Sequence, residues 1–287
     1  MSGINAETKL LGVIGNPVNH SLSPIIFNKA FQACGLNLCY SAFNIQSNDL
    51  EAGLQGMVAL GFLGFNVTLP FKEAVLPLLD SIHRDAKMAG AVNTVVIKEG
   101  RLCGYNTDGS GFVDSLDERG IKTTGKNILL IGAGGAAKAV AVSLALQGVQ
   151  SIVIANRTLS RAEELSYKVA SIGVNSWAAP TEDIKREDFL KTFDIVVNAT
   201  PIGMKSLDEP LLLPVQNLSP GTVVCDLIYR TNGTRLLREA SKRGFTAVDG
   251  SGMLLHQGAL AFQLFTGQKP PLQVMRKALS VALCQSM

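Results

Sequence analysis

Apolar residues in this chain gather in short runs broken by glycine, proline and asparagine. LLGVIG (10–15) is short, apolar and ended by Gly-Asn-Pro, which predicts a buried strand. SPIIFNKAFQACG (23–35) has helical spacing instead: Phe27, Phe31 and Cys34 fall on one face. Ser23 is placed to cap that helix, Pro24 fits its first position and Gly35 its end. CYSAFNI and GFNVTL predict two more strands, with LEAGLQGMVALG as the helix between them. Strand-helix alternation of this kind implies a mainly parallel sheet with both faces covered.

The rhythm resumes near residue 109 with the helix SGFVDSLDERG. NILLIG (127–132), a glycine-rich turn, a helix to about 147 and SIVIAN (151–156) then form a βαβ unit. FDIVVNAT (193–200) and TVVCDLIY (222–229) are strands in the same style. After TAVDGSG (246–252) come two last helices, MLLHQGALAFQLFTG and PPLQVMRKALSVALC, with Gly267 and Pro271 as stop and start. The pattern predicts an α/β chain of two α/β domains. Residues 1–108 plus 253–287 would form one, and 109–252 a Rossmann-like second.

Composition narrows the class. The 287 residues are 47% hydrophobic and 17% charged, as in a folded globular protein. The net charge of +3 is spread without a dense Lys/Arg block, so neither a nucleic-acid groove nor a membrane patch is expected. No apolar run reaches the spanning length of about 18 residues. The start, MSGINAETK, lacks the pattern of a signal peptide. Cysteines 34, 39, 103, 225 and 284 are odd in number and form no Cys-x-x-Cys, so no metal site or disulfide framework is read. Reduced thiols point to the cytoplasm.

LLIGAGGAAKAVA (129–141) carries Gly132-x-Gly134-x-x-Ala137, with a strand before it and a helix after it. That context makes it a dinucleotide fingerprint: a tight turn, close approach of backbone to pyrophosphate, and close packing of helix on strand. Gly132, Ala133, Gly134, Gly135 and Ala136 are the candidate cofactor residues. The next strand ends in ANRTLSR, with no carboxylate before Glu163 to hold a ribose 2′-hydroxyl. Asn156, Arg157, Thr158 and Arg161 stand there instead, and guanidinium groups suit a phosphate. The cofactor expected is NADP(H) rather than NAD.

Polar-rich stretches at strand ends in the first block mark a second site. They are NHSLSP (19–24), NVTLPFK (66–72), GAVNT (90–94) and GYNTDG (104–109). Singly, Ser21 and Ser23 read as caps, Asn66, Thr68 and Asn93 as turn residues, and Asp108 as the cap of the helix beyond Gly109. Together they describe a pocket of hydroxyls and amides with one lysine and one aspartate, suited to a small, hydroxyl-rich anion. Pro70 is placed to open a helix, so Lys72 would lie in its first turn, where the helix dipole disfavours a cation.

SLSP, NVTLPFK, AGAVNT, NTDG, GAGGAAKA, NRT and DGSGMLLHQGA occur in the order they take in the shikimate dehydrogenase family, which the chain resembles along essentially its whole length. The resemblance implies two α/β domains with a cleft between them and NADP(H) on the Rossmann-like half. It implies reversible reduction of 3-dehydroshikimate to shikimate, in the route to aromatic amino acids. By position, Ser21 and Ser23 would bind the substrate carboxylate, and Asn66, Thr68, Asn93 and Gln257 its hydroxyls. Lys72 and Asp108 would be the catalytic pair, with Tyr229 near the substrate. Leu227, Gly250 and Met204 would join the cofactor site. Arg84, with Asp85 beside it, stands where many relatives carry an acidic residue. Tyr40 and the GMK after the NAT strand resemble the quinate/shikimate branch, some members of which accept NAD.

None of the histidines 20, 83 and 256 has an evident proton-transfer setting, which leaves Lys72 and Asp108. A lysine ordinarily titrates near 10.4, too high for a base at neutral pH unless lowered. A helix N-terminus and burial lower it, while a nearby carboxylate raises it. A dual-specificity quinate/shikimate dehydrogenase is the alternative, and a non-catalytic NADPH-binding sensor a remote one. A homodimer is compatible with the sequence, which does not specify assembly.

Overall fold

The computed structural model describes residues 4–204 and 209–285. In chain order its elements are β1 (Lys9–Gly15), α1 (Ser23–Ala33), β2 (Leu38–Asn44), α2 (Leu50–Ala59), β3 (Gly64–Val67), α3 (Phe71–Ala74), β4 (Ser81–Ile82), α4 (Arg84–Ala89), β5 (Thr94–Lys98) and β6 (Arg101–Tyr105). There follow α5 (Asp108–Asp117), β7 (Asn127–Ile131), α6 (Gly135–Leu146), β8 (Ser151–Ala155), α7 (Leu159–Ala170), β9 (Asn175–Ala179), α8 (Glu187–Leu190), β10 (Ile195–Asn198), β11 (Val223–Asp226), α9 (Arg235–Lys242), β12 (Thr246–Val248), α10 (Ser251–Thr266) and α11 (Leu272–Gln285). The chain divides into two units, residues 1–111 with 255–287, and 112–254.

The first unit holds a sheet in the order β2-β1-β3-β5-β6-β4. β1 runs parallel to β2 and β3, and β4 parallel to β6, but β5 is antiparallel to both β3 and β6. The hairpin β5–β6 turns at Glu99 and Gly100, both with positive φ, the backbone that a tight two-residue hairpin requires.

The second unit holds β12-β11-β10-β7-β8-β9, parallel throughout. Its central strands are unbroken apolar runs because both faces are covered. Ile128 and Leu130 pack with Val140, Leu144 and Ile152 on one face. Leu129 and Ile131 pack with Val196, Leu213 and Leu236 on the other, the two-residue period of a pleated strand.

Two local expectations need correction and a third is narrowed. Ser23 does not cap α1: Leu22 holds that position, and Ser21 Oγ accepts the Ser23 N–H at 3.3 Å. The helix after Pro70 is a single turn, because Pro77 has no N–H to return to Glu73 and the chain goes on as a 3-10 turn over 76–78. A dipole of one turn has little charge to set against Lys72. Asp108 does not cap a helix beyond Gly109 but is the first residue of α5, and its own N–H is accepted by Asn106 Oδ1 at 3.0 Å.

Candidate functional site

Freed from capping, the Asp108 side chain meets Lys72. Lys72 Nζ donates to Asp108 Oδ2 at 2.5 Å, with both side chains largely buried. The loop before β5 fixes this pair from two sides. Val92 N–H bonds the Lys72 carbonyl at 2.8 Å, and Asn93 Nδ2 donates to Asp108 Oδ1 at 2.8 Å. Each carboxylate oxygen of Asp108 therefore has its own donor.

Asn93 is the hub. Besides Asp108, its Nδ2 reaches Thr107 Oγ1 at 2.9 Å and Gln257 Oε1 at 3.3 Å. Its Oδ1 accepts the Thr107 N–H at 2.8 Å and the Thr94 hydroxyl at 3.0 Å. Asn66 lies opposite Thr94 in the β3–β5 ladder and donates to Thr94 Oγ1 at 2.9 Å and to the Asn93 carbonyl at 3.1 Å. Both its amide hydrogens are thus engaged, which leaves Asn66 as an acceptor toward anything else.

Tyr40 sets that orientation. Its hydroxyl donates to Asn66 Oδ1 at 2.7 Å and also bonds Ser23, while its ring stacks on Phe27 at 4.4 Å. Burial pushes the phenol well above its ordinary range, so it remains a donor. Thr68 follows β3 directly, and its N–H bonds the Ile14 carbonyl at 2.9 Å. The structure thus joins Ser21, Ser23, Asn66, Lys72, Asn93, Asp108 and Gln257 through bonded or neighbouring side chains. Tyr229 belongs to the other unit. His20, Arg84 and Asp85 are exposed.

The candidate cofactor residues of the second unit share one edge of its sheet. Gly132 follows β7, Asn156 β8, Met204 β10, Leu227 β11 and Gly250 β12, all at carboxyl ends, where parallel sheets take ligands. Gly132 has φ +117°, and a Cβ there would stand 2.9 Å from the Ala199 carbonyl oxygen. Gly134, by contrast, has no heavy atom within 4 Å of its Cβ position, leaving backbone open at the head of α6. An open glycine at a long helix's N-terminus fits a pyrophosphate. Past β8, Asn156 Nδ2 donates to the Thr158 carbonyl at 2.9 Å, and Arg157 and Arg161 are exposed. This donor set fits a 2′-phosphate. Met204 is 41% exposed, and burial raises the Tyr229 phenol. Lys205, of the GMK run, lies outside the described residues.

Several residues of this architecture escaped the sequence reading: Thr94, Thr107 and Asn106 around Asp108, and Asn198, Asp226 and Thr234 at the ends of β10 and β11. A polar residue closing an otherwise apolar strand run, as in IVVN and VVCD, was the available signal.

Three family models match the chain. "Shikimate dehydrogenase substrate binding domain" covers residues 13–95, "Shikimate / quinate 5-dehydrogenase" 116–208 and "Shikimate 5'-dehydrogenase C-terminal domain" 250–279. A protein of Methanopyrus kandleri described as shikimate dehydrogenase (NADP(+)) is 46% identical over 278 residues, 96% of each chain. The crystal structure of a shikimate dehydrogenase in complex with NADP+ superposes with a TM-score of 0.91 at 42% identity, over 98% of both chains. The shikimate 5-dehydrogenase of Listeria monocytogenes, in complex with shikimate and NAD, does so at 0.90 and 36%, over 97% of this chain and 99% of that one. Likeness at this level, sustained from one end of the alignment to the other, decides the matter of descent: this chain belongs to the shikimate dehydrogenase family.

Proposed function

We propose that this chain is an NADP-dependent shikimate dehydrogenase, catalysing the reversible reduction of 3-dehydroshikimate to shikimate. The observation that carries the catalytic assignment is the buried Lys72–Asp108 pair at 2.5 Å, held by Asn93 and walled by amides and hydroxyls. Gly132 to Ala136 would hold the pyrophosphate, and Asn156, Arg157, Thr158 and Arg161 the 2′-phosphate. Met204, Leu227 and Gly250 would hold the nicotinamide end. When bound, NADPH supplies the hydride that adds to the substrate's carbonyl carbon.

The other requirements fall on the chain's own residues. Lys72 Nζ donates a hydrogen bond and then a proton to the carbonyl oxygen as negative charge develops there. Asp108 keeps the ammonium aimed, and in the reverse direction the neutral Lys72 amine takes that proton back from the shikimate hydroxyl. Asn93 fixes the carboxylate plane, so the pair needs no rearrangement before reaction. Asn66, presented as an acceptor, takes a hydrogen bond from a substrate hydroxyl, with Thr68 and Gln257 beside it. Ser21 and Ser23 donate to the substrate carboxylate.

The setting is consistent with cytoplasmic chemistry: cysteines 34, 39, 103, 225 and 284 are free thiols. Among the described residues no helix is long and apolar enough to cross a membrane. The test is consumption of NADPH by the purified chain on addition of 3-dehydroshikimate, with shikimate identified as product. No consumption above the substrate-free rate would overturn the assignment.

A further inference from the structure

The second unit contains a buried carboxylate that the proton chemistry does not use. Asp226 ends β11 and is 1% exposed; Asn198 ends β10, is fully buried, and faces it across the parallel ladder. Buried polar groups cost stability unless bonded. Here the bonds go to the two loops that leave these strands. Asn198 Oδ1 accepts from the Thr200 N–H at 3.0 Å and the Thr200 hydroxyl at 2.7 Å. Its Nδ2 donates to the Ile202 carbonyl at 3.2 Å and to Asp226 Oδ1 at 3.0 Å. Asp226 Oδ1 also accepts the Ile228 N–H at 3.1 Å, and Oδ2 accepts the Thr234 hydroxyl at 2.7 Å. Arg230 adds a direct tie, donating to the Gly203 carbonyl at 3.1 Å. Residues 199–204 and 227–234 are fastened as one body, and Met204, Leu227 and Tyr229 ride on it.

A charged group is a costly fastener at such depth. Burial foremost, and the like charge of Asp249, push the Asp226 carboxyl up to about 6, against the lowering effect of Thr234, Ile228 N–H and Asn198. What the carboxylate adds is two acceptor oxygens at once. The Thr234 oxygen already accepts the Leu237 N–H at 3.4 Å, so its proton points to Asp226. An asparagine at 226 has one acceptor oxygen and would turn an amide hydrogen or a weaker acceptor toward Thr234.

We propose that Asp226 is a positioning residue for the nicotinamide end of the cofactor, its carboxylate presetting the surface formed by Met204, Leu227 and Tyr229. This rests on the reading of the second unit as the NADP-binding one. The test compares Asp226→Asn with the parent by titration with NADPH and with adenosine 2′,5′-bisphosphate, which lacks the nicotinamide half. The expected result is a Kd for NADPH raised about tenfold, the scale of one charge-assisted hydrogen bond. The bisphosphate Kd should stay within about twofold, since that fragment needs only the glycine turn and the arginines. Equal weakening of both ligands would mean general damage and overturn the proposal, as would an unchanged NADPH Kd. Should Asp226→Asn not fold, Thr234→Val, which removes one donor, is held to the same pair of outcomes. A parent that binds neither ligand would strike at the functional reading itself, and the proposal would fall with it.

Discussion

At the scale of single residues, the proposed catalysis rests on the Lys72–Asp108 pair. Lys72→Ala removes the proposed proton donor, and Asp108→Asn keeps the shape while removing the charge. Each is expected to lower kcat at least about a hundredfold, the usual scale of a general acid–base group; turnover within about threefold of the parent would refute the roles. Tyr40→Phe tests the pocket wall. It leaves Asn66 Oδ1 without its internal donor, at a cost of about 1–3 kcal/mol for a buried acceptor. The expected outcome is a lower Tm and a severalfold higher KM for shikimate, with kcat changed less than KM. Asp226 makes a prediction of opposite sign. Its carboxyl sits at about 6 in the folded chain, above the roughly 3.9 of an unfolded one. The stability this raised value contributes is fully present below about pH 4 and lost as pH rises through 6. The Tm of Asp226→Asn relative to the parent should therefore increase between pH 4 and pH 7, and a flat difference would contradict it.

Elements explain which parts of the fold the sequence disclosed. Unbroken apolar runs such as NILLI and SIVIA announced the central parallel strands, because burial on both faces leaves no polar position to confuse the period. The β5–β6 hairpin went unread. Its turn is Glu-Gly rather than the Asn-Gly or Asp-Gly that signals such a turn, and its role in making the sheet mixed is set by tertiary pairing. The one-turn α3 was legible in principle, since Pro77 is printed in the chain, but its effect on the charge environment of Lys72 needed the structure. The glycine turn separates two functions of neighbouring residues. Gly132→Ala forces a Cβ against the Ala199 carbonyl at positive φ and should cost about 1–3 kcal/mol, seen as a fall in Tm. Gly134→Ala meets open space and should leave Tm near the parent's while weakening NADPH binding several-fold. The reverse pattern would contradict the cradle.

At the scale of the whole molecule, the polar network draws on distant parts of the chain: Asn93 and Gln257 are bonded across 164 positions. Asn66, Lys72, Asn93, Asp108 and Gln257 were legible one by one as motif residues, yet their partners Thr94, Thr107 and Asn106 were not. Nothing in NTDG says that Asn106 takes the cap duty and so releases Asp108 for Lys72. Cofactor choice was more open to reading, since the expectation of NADP rested on one local contrast, arginines in place of a carboxylate after β8. Substrate choice is a property of the complete pocket, where a single extra hydroxyl can be accepted or refused. The most direct measurement is kcat/KM for shikimate and for quinate, each with NADP+ and with NAD+. The account predicts that the pair shikimate and NADP+ exceeds each of the other three by at least about tenfold. Equal or higher efficiency with quinate, or with NAD+, would contradict it.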